Sequence, residues 1–427
     1  MTGNVSSGEK MGRLDIFDRM RGVQENTPGL KSSKDINIEP VKNRLNGTII
    51  TDGPDSILKV DYSYPLVYTH GDVALKDVVS IDPGLLRVLL PALPRSLDLS
   101  LNDLIFFDLE TTGLSGGAGT YVFMAGFLKV EDEKIKTAQY FLNNLSSEKL
   151  FLMEIRDRLK PGSVLVSYNG KSFDCNILKN RFILNGLGLA DRDPTHLDLL
   201  YTSRRIWKGL FPDFSLRTVE KWALKFERTG DIPGYMIPDI YFQYLRGRDV
   251  TEDLCGVFMH NRNDIVSLAA VLLKQLSIVR YCARFDRLNG INNPGQFNPV
   301  SLSDMLINCN YHEEAKKLLK SYTDDTEVLK RLGLLYKRQK LHRDALVFFK
   351  LLIEKTEDFS EYIFACIEMA KLYEHRLKDI DRAIFYTEKV WNRVRRQDYF
   401  YPDRASVFLN DRAHIEKRLD RLRKKQA

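Results

Sequence analysis

Residues 289–295 read Asn-Gly-Ile-Asn-Asn-Pro-Gly, and the spacing of hydrophobic residues changes across them. From Leu101 up to this stretch, short apolar runs alternate with segments of helical period. From Ser301 onward every segment is helical in period. Strand and helix periods, about 2.0 and 3.6 residues, require different backbones. The pattern therefore predicts an α/β body over 101–285, a linker over 286–300 and an all-α body over 301–427. A chain of 427 residues is in any case too long for one ordinary core. Ahead of these bodies, residues 1–60 are polar, with turn signals at Thr27-Pro28-Gly29 and Asp52-Gly53-Pro54. They read as a loosely ordered leader with one short helix across Arg13–Arg21. Residues 61–100 bear Tyr62, Tyr64, Leu66, Tyr68 and an apolar run at 85–90, and read as a lead-in that packs on the α/β body.

Hydrophobic residues at 44% and charged residues at 28% exclude a fibrous chain or one disordered throughout. The five cysteines have no CxxC spacing, which argues against a zinc or redox pair and for reduced thiols. No uninterrupted apolar run approaches the ~20 residues of a bilayer span, and the N-terminus has no signal-peptide pattern. A cytoplasmic protein without a membrane partner is the expectation. The net charge of +7 is unevenly placed: from Gln275 to Ala427, 30 basic residues face 22 acidic ones. The end of that segment, His414–Lys425, has the texture of a solvated helix face. Affinity for nucleic acid is the second reading.

Inside the α/β body, Leu104–Phe107 has the continuous apolar character of a strand buried on both faces. Tyr121–Val130 and Ile135–Leu142 form a hairpin pattern around a polar turn. A helix over Ser147–Leu159, with Ser147 as its cap, leads to a strand at Ser163–Ser167 and a helix at Phe173–Leu184. A last strand at Thr195–Leu200 precedes a long helix over Val257–Leu276. Antiparallel strands followed by strands alternating with helices predict a mixed sheet flanked by helices.

Directly after the first buried strand the sequence reads Asp108-Leu109-Glu110-Thr111-Thr112-Gly113-Leu114. Residues two apart on a strand share a face, so Asp108 and Glu110 place two carboxylates together. Like charges that close repel unless a cation lies between them. Hard oxygen donors suit Mg²⁺ or Mn²⁺ rather than zinc. After the fourth strand, Asn169 to Asp174 set another acid at a helix start. On the last helix, His260 and Asp264 lie four residues apart on one face, and Asp264 has apolar neighbours among which a lone carboxylate is costly.

These three segments, in this order, resemble the motifs of the DEDD 3′–5′ exonucleases, the DnaQ-like superfamily of ribonuclease H-like fold. The resemblance covers about residues 100–276 and, with the glycine-rich Leu114–Thr120, is similar to the YprB-like bacterial branch. It implies that Asp108, Glu110, Asp174 and Asp264 hold two divalent cations, Mg²⁺ or Mn²⁺. It also implies that Thr111, Thr112, Gly113, Leu114, Asn169 and Phe173 meet a single-stranded DNA or RNA substrate. The third motif departs from the superfamily's pattern: His260 stands where one class has Tyr, and Met259 where the other has His. A catalytic His260 that orients or deprotonates water and a His260 that merely packs at this helix stand as equal readings.

Lys171 and Arg181 are weaker candidates for phosphate contact. Phe214, Arg217, Trp222 and Lys225 could offer stacking and phosphate contacts to a single strand, but their spacing reads rather as an ordinary amphipathic helix, and Asp198 reads as a structural acid. In the tail, Leu329, Leu332, Gly333, Tyr336, Ala345 and Phe349 have the spacing of a tetratricopeptide repeat. Met369, Ala370, Tyr373, Ala383 and Thr387 form a second copy with one extra residue in its turn, and Ala315 marks a degenerate earlier one. A generic helical bundle is the alternative. A protein partner on this tail is expected by the same resemblance. Functionally, an exonuclease leads. A degenerate nuclease-fold binding module and an endonuclease of the same broad fold remain as alternatives.

Overall fold

Helix α1 (Glu39–Leu45) ends where Asn46 turns left-handed, and leads into β1 (Thr48–Asp52) and β2 (Asp55–Pro65), paired antiparallel around Gly53. This computed structural model describes residues 37–93, 103–113, 119–131, 134–159, 162–188, 195–284, 295–400 and 409–426. The expected helix at 13–21, the turn at 27–29, the loop residues 114–118 and most of the linker lie outside them. Strands β1 and β2 correct the expectation of a loosely ordered leader up to residue 60, and β2 carries the first residues of the lead-in, through Pro65, into the sheet. Ile57, Leu58 and Val60 are at most 4% exposed, but charged Asp55, Lys59 and Asp61 among them masked this short buried stretch in the sequence.

A small pair, β3 (Thr69–His70) and β4 (Val73–Ala74), and helix α2 (Pro83–Leu89) follow. Then come β5 (Leu104–Thr111), β6 (Val122–Glu131), β7 (Lys134–Phe141), helix α3 (Glu148–Arg158), β8 (Val164–Ser167), α4 (Asp174–Leu184) and β9 (Thr195–Asp198). Among the described residues, seven strands form one sheet in the order β1-β2-β7-β6-β5-β8-β9. Pairing is antiparallel from β1 to β5 and parallel from β5 through β8 to β9. This is the mixed sheet flanked by helices that the sequence pattern predicts, with two additional strands on one edge.

Two local expectations change. Ser147 does not cap α3: its hydroxyl accepts from the Ser56 amide at 3.0 Å and reaches Asp55 at 3.3 Å, tying β2 to the helix start. The strand expected to run to Leu200 stops at Asp198, whose carboxylate accepts from Leu200 N–H and starts α5 (Leu199–Ile206). Beyond it lie α6 (Ile237–Leu245) and α7 (Thr251–Arg284). By length and composition α7 is apolar enough to cross a membrane, although no single unbroken run shows it. Within this fold 78% of its apolar window is buried, so its hydrophobicity serves the core, where Leu254, Val257 and Phe258 pack against Phe141 and its neighbours.

The chain divides into two units, residues 1–281 with 287–297, and residues 282–286 with 298–427. The second contains α8 (Pro299–Asn308), α9 (His312–Lys320), α10 (Thr326–Arg338), α11 (His342–Lys355), α12 (Phe359–Leu372), α13 (Ile380–Phe400) and α14 (Leu409–Gln426). Gly333 of α10 lies so close to the Phe349 ring of α11 that a Cβ there would overlap it. After α12 comes a π-helical turn, Tyr373–Leu377, closed by left-handed Lys378. Glu374 of that turn has a fully buried side chain, and Arg418, Arg421 and Lys425 of α14 all reach it, at 2.9, 2.9 and 2.8 Å. Three cations of the basic end at His414–Lys425 thus neutralise an internal acid.

Candidate functional site

The site begins with a row across the sheet. Asp108 on β5 is in register with Gly126 on β6, which is in register with Gln139 on β7. Facing residues in adjacent strands share a side of the sheet, and α7 lies over this one. Its Asn261 fits above Gly126, where a Cβ would overlap the Asn261 amide. Asn261 Nδ2 donates to Asp108 Oδ2 at 2.9 Å, and Gln139 Nε2 donates to Asn261 Oδ1 at 2.9 Å and to the Phe258 carbonyl at 2.8 Å. Gln139 thereby fixes which way the Asn261 amide points, and that amide orients Asp108.

Glu110 stands two residues along on the same face, just before a register shift between Glu110 and Thr111 that ends regular pairing. Irregularities of this kind re-aim side chains at the ends of strands. Thr111 donates its hydroxyl to the Gly113 carbonyl at 3.1 Å. Thr112 is buried, and its hydroxyl accepts from Tyr121 N–H at 2.9 Å. The Thr112 side chain therefore holds the turn rather than facing outward, and Leu114 lies outside the described residues.

Asp174 is the first residue of α4. The loop before it is shaped by Asp198, whose carboxylate accepts from the Asn169 and Lys171 amides at 2.8 and 3.1 Å. Asn169 adopts φ 64° there, a conformation in which Asn is among the less strained residues. Asp198 is 4% exposed and acts as a structural acid. Phe173, directly before Asp174, stays 42% exposed, and Tyr201, 44% exposed, bonds the Ser172 hydroxyl at 2.8 Å. Arg181 is not available to phosphate: it forms a buried two-point ion pair with Glu148, both contacts at 2.5 Å.

Three of the four acids hold their protons more tightly than usual. Burial pushes Asp108 well above the usual carboxylate range, and repulsion from Asp264, Glu110 and Asp174 adds to it, while the Asn261 donor works against the shift. Burial raises Glu110 in the same way, reinforced by Asp264, Asp174 and Asp231. Asp174 is pushed up to about 7 by burial, then by Asp198 and Asp264. Carboxylates in such an arrangement favour either protons or a cation.

Sequence reasoning missed the cation that the fold itself supplies. Arg228, whose side chain is 4% exposed, contacts Glu220 and Asp264 at 2.5 Å each and Asp231 at 3.2 Å. Asp231, 2% exposed, accepts from Arg217 at 2.5 Å and lies 2.9 Å from His260 Nδ1. His260 Nε2 is 3.7 Å from Asp264. The network continues from Glu220 to the Ser267 hydroxyl and on to His70 at 2.8 Å. Nothing periodic in the sequence marks Arg228 or Asp231. Gln139, a long amide at an inward position of β7, is the one signal that could have pointed to Asn261.

Among the described residues no three His, Cys, Asp or Glu side chains form a ready coordination shell for a metal. The residues nonetheless fit a divalent cation by charge and donor type. Asp108, Glu110 and Asp174 repel one another within one enclosed end of the sheet, and Asp264 Oδ1 is buried with no aligned hydrogen bond despite the guanidinium beside it. All are hard oxygen donors, the kind Mg²⁺ and Mn²⁺ accept.

A sheet of this order, with acids at the end of its central strand and on a helix crossing its face, defines a ribonuclease H-like domain, and residues 105–275 match the RNase_H superfamily. The chain is also similar to the uncharacterized protein YprB of Bacillus subtilis (strain 168), at 30% identity over 349 residues, covering 77% of this chain and 79% of that protein. The chain belongs to the family of that protein, within the RNase_H superfamily.

Proposed function

We propose that this protein is a metal-dependent 3′–5′ exonuclease of the DEDD type acting on single-stranded nucleic acid. The observation that supports this most is the meeting of Asp108, Glu110, Asp174 and Asp264, from one strand and two helices, in a cluster where burial and the neighbouring acids raise the proton affinity of Asp108, Glu110 and Asp174. Two divalent cations bound by these four residues would supply an activated water and charge stabilisation for the leaving oxygen.

The chain's own residues do the rest. Asn261 and Gln139 hold Asp108 in one orientation. Phe173, directly before Asp174, and Tyr201, bonded to Ser172, are exposed aromatics suited to stacking of unpaired bases, a contact worth about 1–3 kcal/mol per base. His260 presents a ring nitrogen toward the Asp264 side of the cluster, where it can orient water. The helical unit, with paired helices closing on Gly333 and Ala345, supports a tetratricopeptide-like reading and a protein partner for the tail.

A second reading is favoured by one observation. Arg228 already neutralises Asp264, as it would in a nuclease-fold module that binds without cleaving. A single assay separates the two: 5′-labelled single-stranded DNA and RNA, incubated with Mg²⁺, Mn²⁺ or EDTA, beside Asp108→Ala. The exonuclease reading expects a metal-dependent ladder shortening from the 3′ end and none in the variant. Metal-dependent internal cuts would point to an endonuclease, and binding of either strand without cleavage to the module. Activity retained in Asp108→Ala would overturn the site.

A further inference from the structure

His260 is held from behind. Its Nδ1 lies 2.9 Å from Asp231 Oδ1, on the far side of the ring from the acids. The other Asp231 oxygen, Oδ2, takes Arg217 at 2.5 Å and Arg228 at 3.2 Å. The Asp231 side chain is 2% exposed, beneath an Arg217 side chain that is itself 53% exposed, and each of its oxygens has a partner. Two guanidinium groups can only donate. They claim Oδ2 as an acceptor and leave Oδ1 to accept from the imidazole.

We infer that Asp231 is a positioning residue for His260: clamped by Arg217 and Arg228, its carboxylate accepts the Nδ1–H, fixes that tautomer, and turns the Nε2 lone pair toward the Asp264 side of the acid cluster. The arrangement explains how a histidine four residues before the last acid, one position from the superfamily's usual place, is aimed at the site. The role in hydrolysis rests on the proposed nuclease reading. The tautomer does not.

Asp231→Asn makes the inference testable by a forced swap. The two guanidinium groups still demand an oxygen, so the asparagine must turn its NH₂ to His260 Nδ1. Nδ1 then has to accept, and the proton moves to Nε2, where it blocks the lone pair. An acid-to-amide change behind a catalytic histidine acts through this wrong tautomer. The experiment uses full-length protein labelled with ¹⁵N-histidine, with His260→Gln to assign the resonance, at pH 8.5. In the native protein, ¹⁵N–¹H correlation spectra should show His260 protonated on Nδ1 alone, and in Asp231→Asn on Nε2 alone. A native ring protonated on Nε2, protonated on both nitrogens, or unchanged by Asp231→Asn would overturn the inference, whatever the enzyme does.

If the activity assay shows hydrolysis, Asp231→Asn should lower kcat about 10- to 100-fold with KM unchanged, a range typical of partners that orient catalytic or ligating groups. It should add nothing in a His260→Gln background. Additive losses would show that Asp231 acts only through stability. Absence of hydrolysis in the native protein would sink the nuclease reading and leave the tautomer result standing.

Discussion

At the scale of single residues, the site depends on one amide as much as on its acids. Asn261 is fully buried, bonded to Asp108 on one side and Gln139 on the other. Asn261→Leu removes the donor to Asp108 and one of the two acceptors of the Gln139 amide, and should cost about 1–3 kcal/mol of stability, read as a lowered midpoint in urea. Asp108→Asn should act in the opposite direction. In the protein stripped of metal, Asp108 has a raised pKa and binds more protons folded than unfolded. Its ionisation therefore opposes folding as pH rises from the unfolded value, about 4, toward the folded one. Melting curves in EDTA should show Asp108→Asn equal to the native protein near pH 4 and more stable at pH 8, with added Mg²⁺ closing the gap. A variant less stable than the native protein at pH 8 would contradict the repulsion. The sequence made Asp108, Glu110, Asp174 and Asp264 visible because acids at a strand end and on an apolar helix stand out. Arg228 and Asp231 were invisible because a turn brings them to the site, and turns leave no period.

At the scale of elements, close approach decides what the helices tolerate. Gly333 has no room for a Cβ beside Phe349, so Gly333→Ala should cost about 1–3 kcal/mol through overpacking. Faster amide exchange confined to α10 and α11 would register it. The C-terminal helix poses a different question. Buried Glu374 is neutralised by Arg418, Arg421 and Lys425, and removing partners from a buried charge costs about 3–5 kcal/mol. Deleting residues 409–427 should therefore loosen α12 and α13 in hydrogen exchange, while Glu374→Gln in the same background restores part of the protection. The helical period of this region was legible from its first residue. The destination of its positive charge was not, since the acid that receives it lies more than forty residues earlier in the chain.

At the scale of the whole molecule, the alternation of strand and helix after Leu101 made the mixed sheet readable, yet it hid two strands of that sheet. Period-based reading needs several residues on one face. β2 buries only Ile57, Leu58 and Val60 before turning to an exposed, tyrosine-rich end. Its pairing with β7 extends over eight residues, from Leu58–Phe141 to Pro65–Lys134. This edge also decides how the protein can be dissected. A fragment begun at residue 101, where the motifs begin, would keep every proposed catalytic group but strip β7 of its neighbour. A row of unpaired amides and carbonyls would then face outward beside apolar side chains, ready to accept a strand from another molecule. For anyone expressing the nuclease-like domain alone, the strands before the motifs are what stands between a soluble fragment and an aggregate.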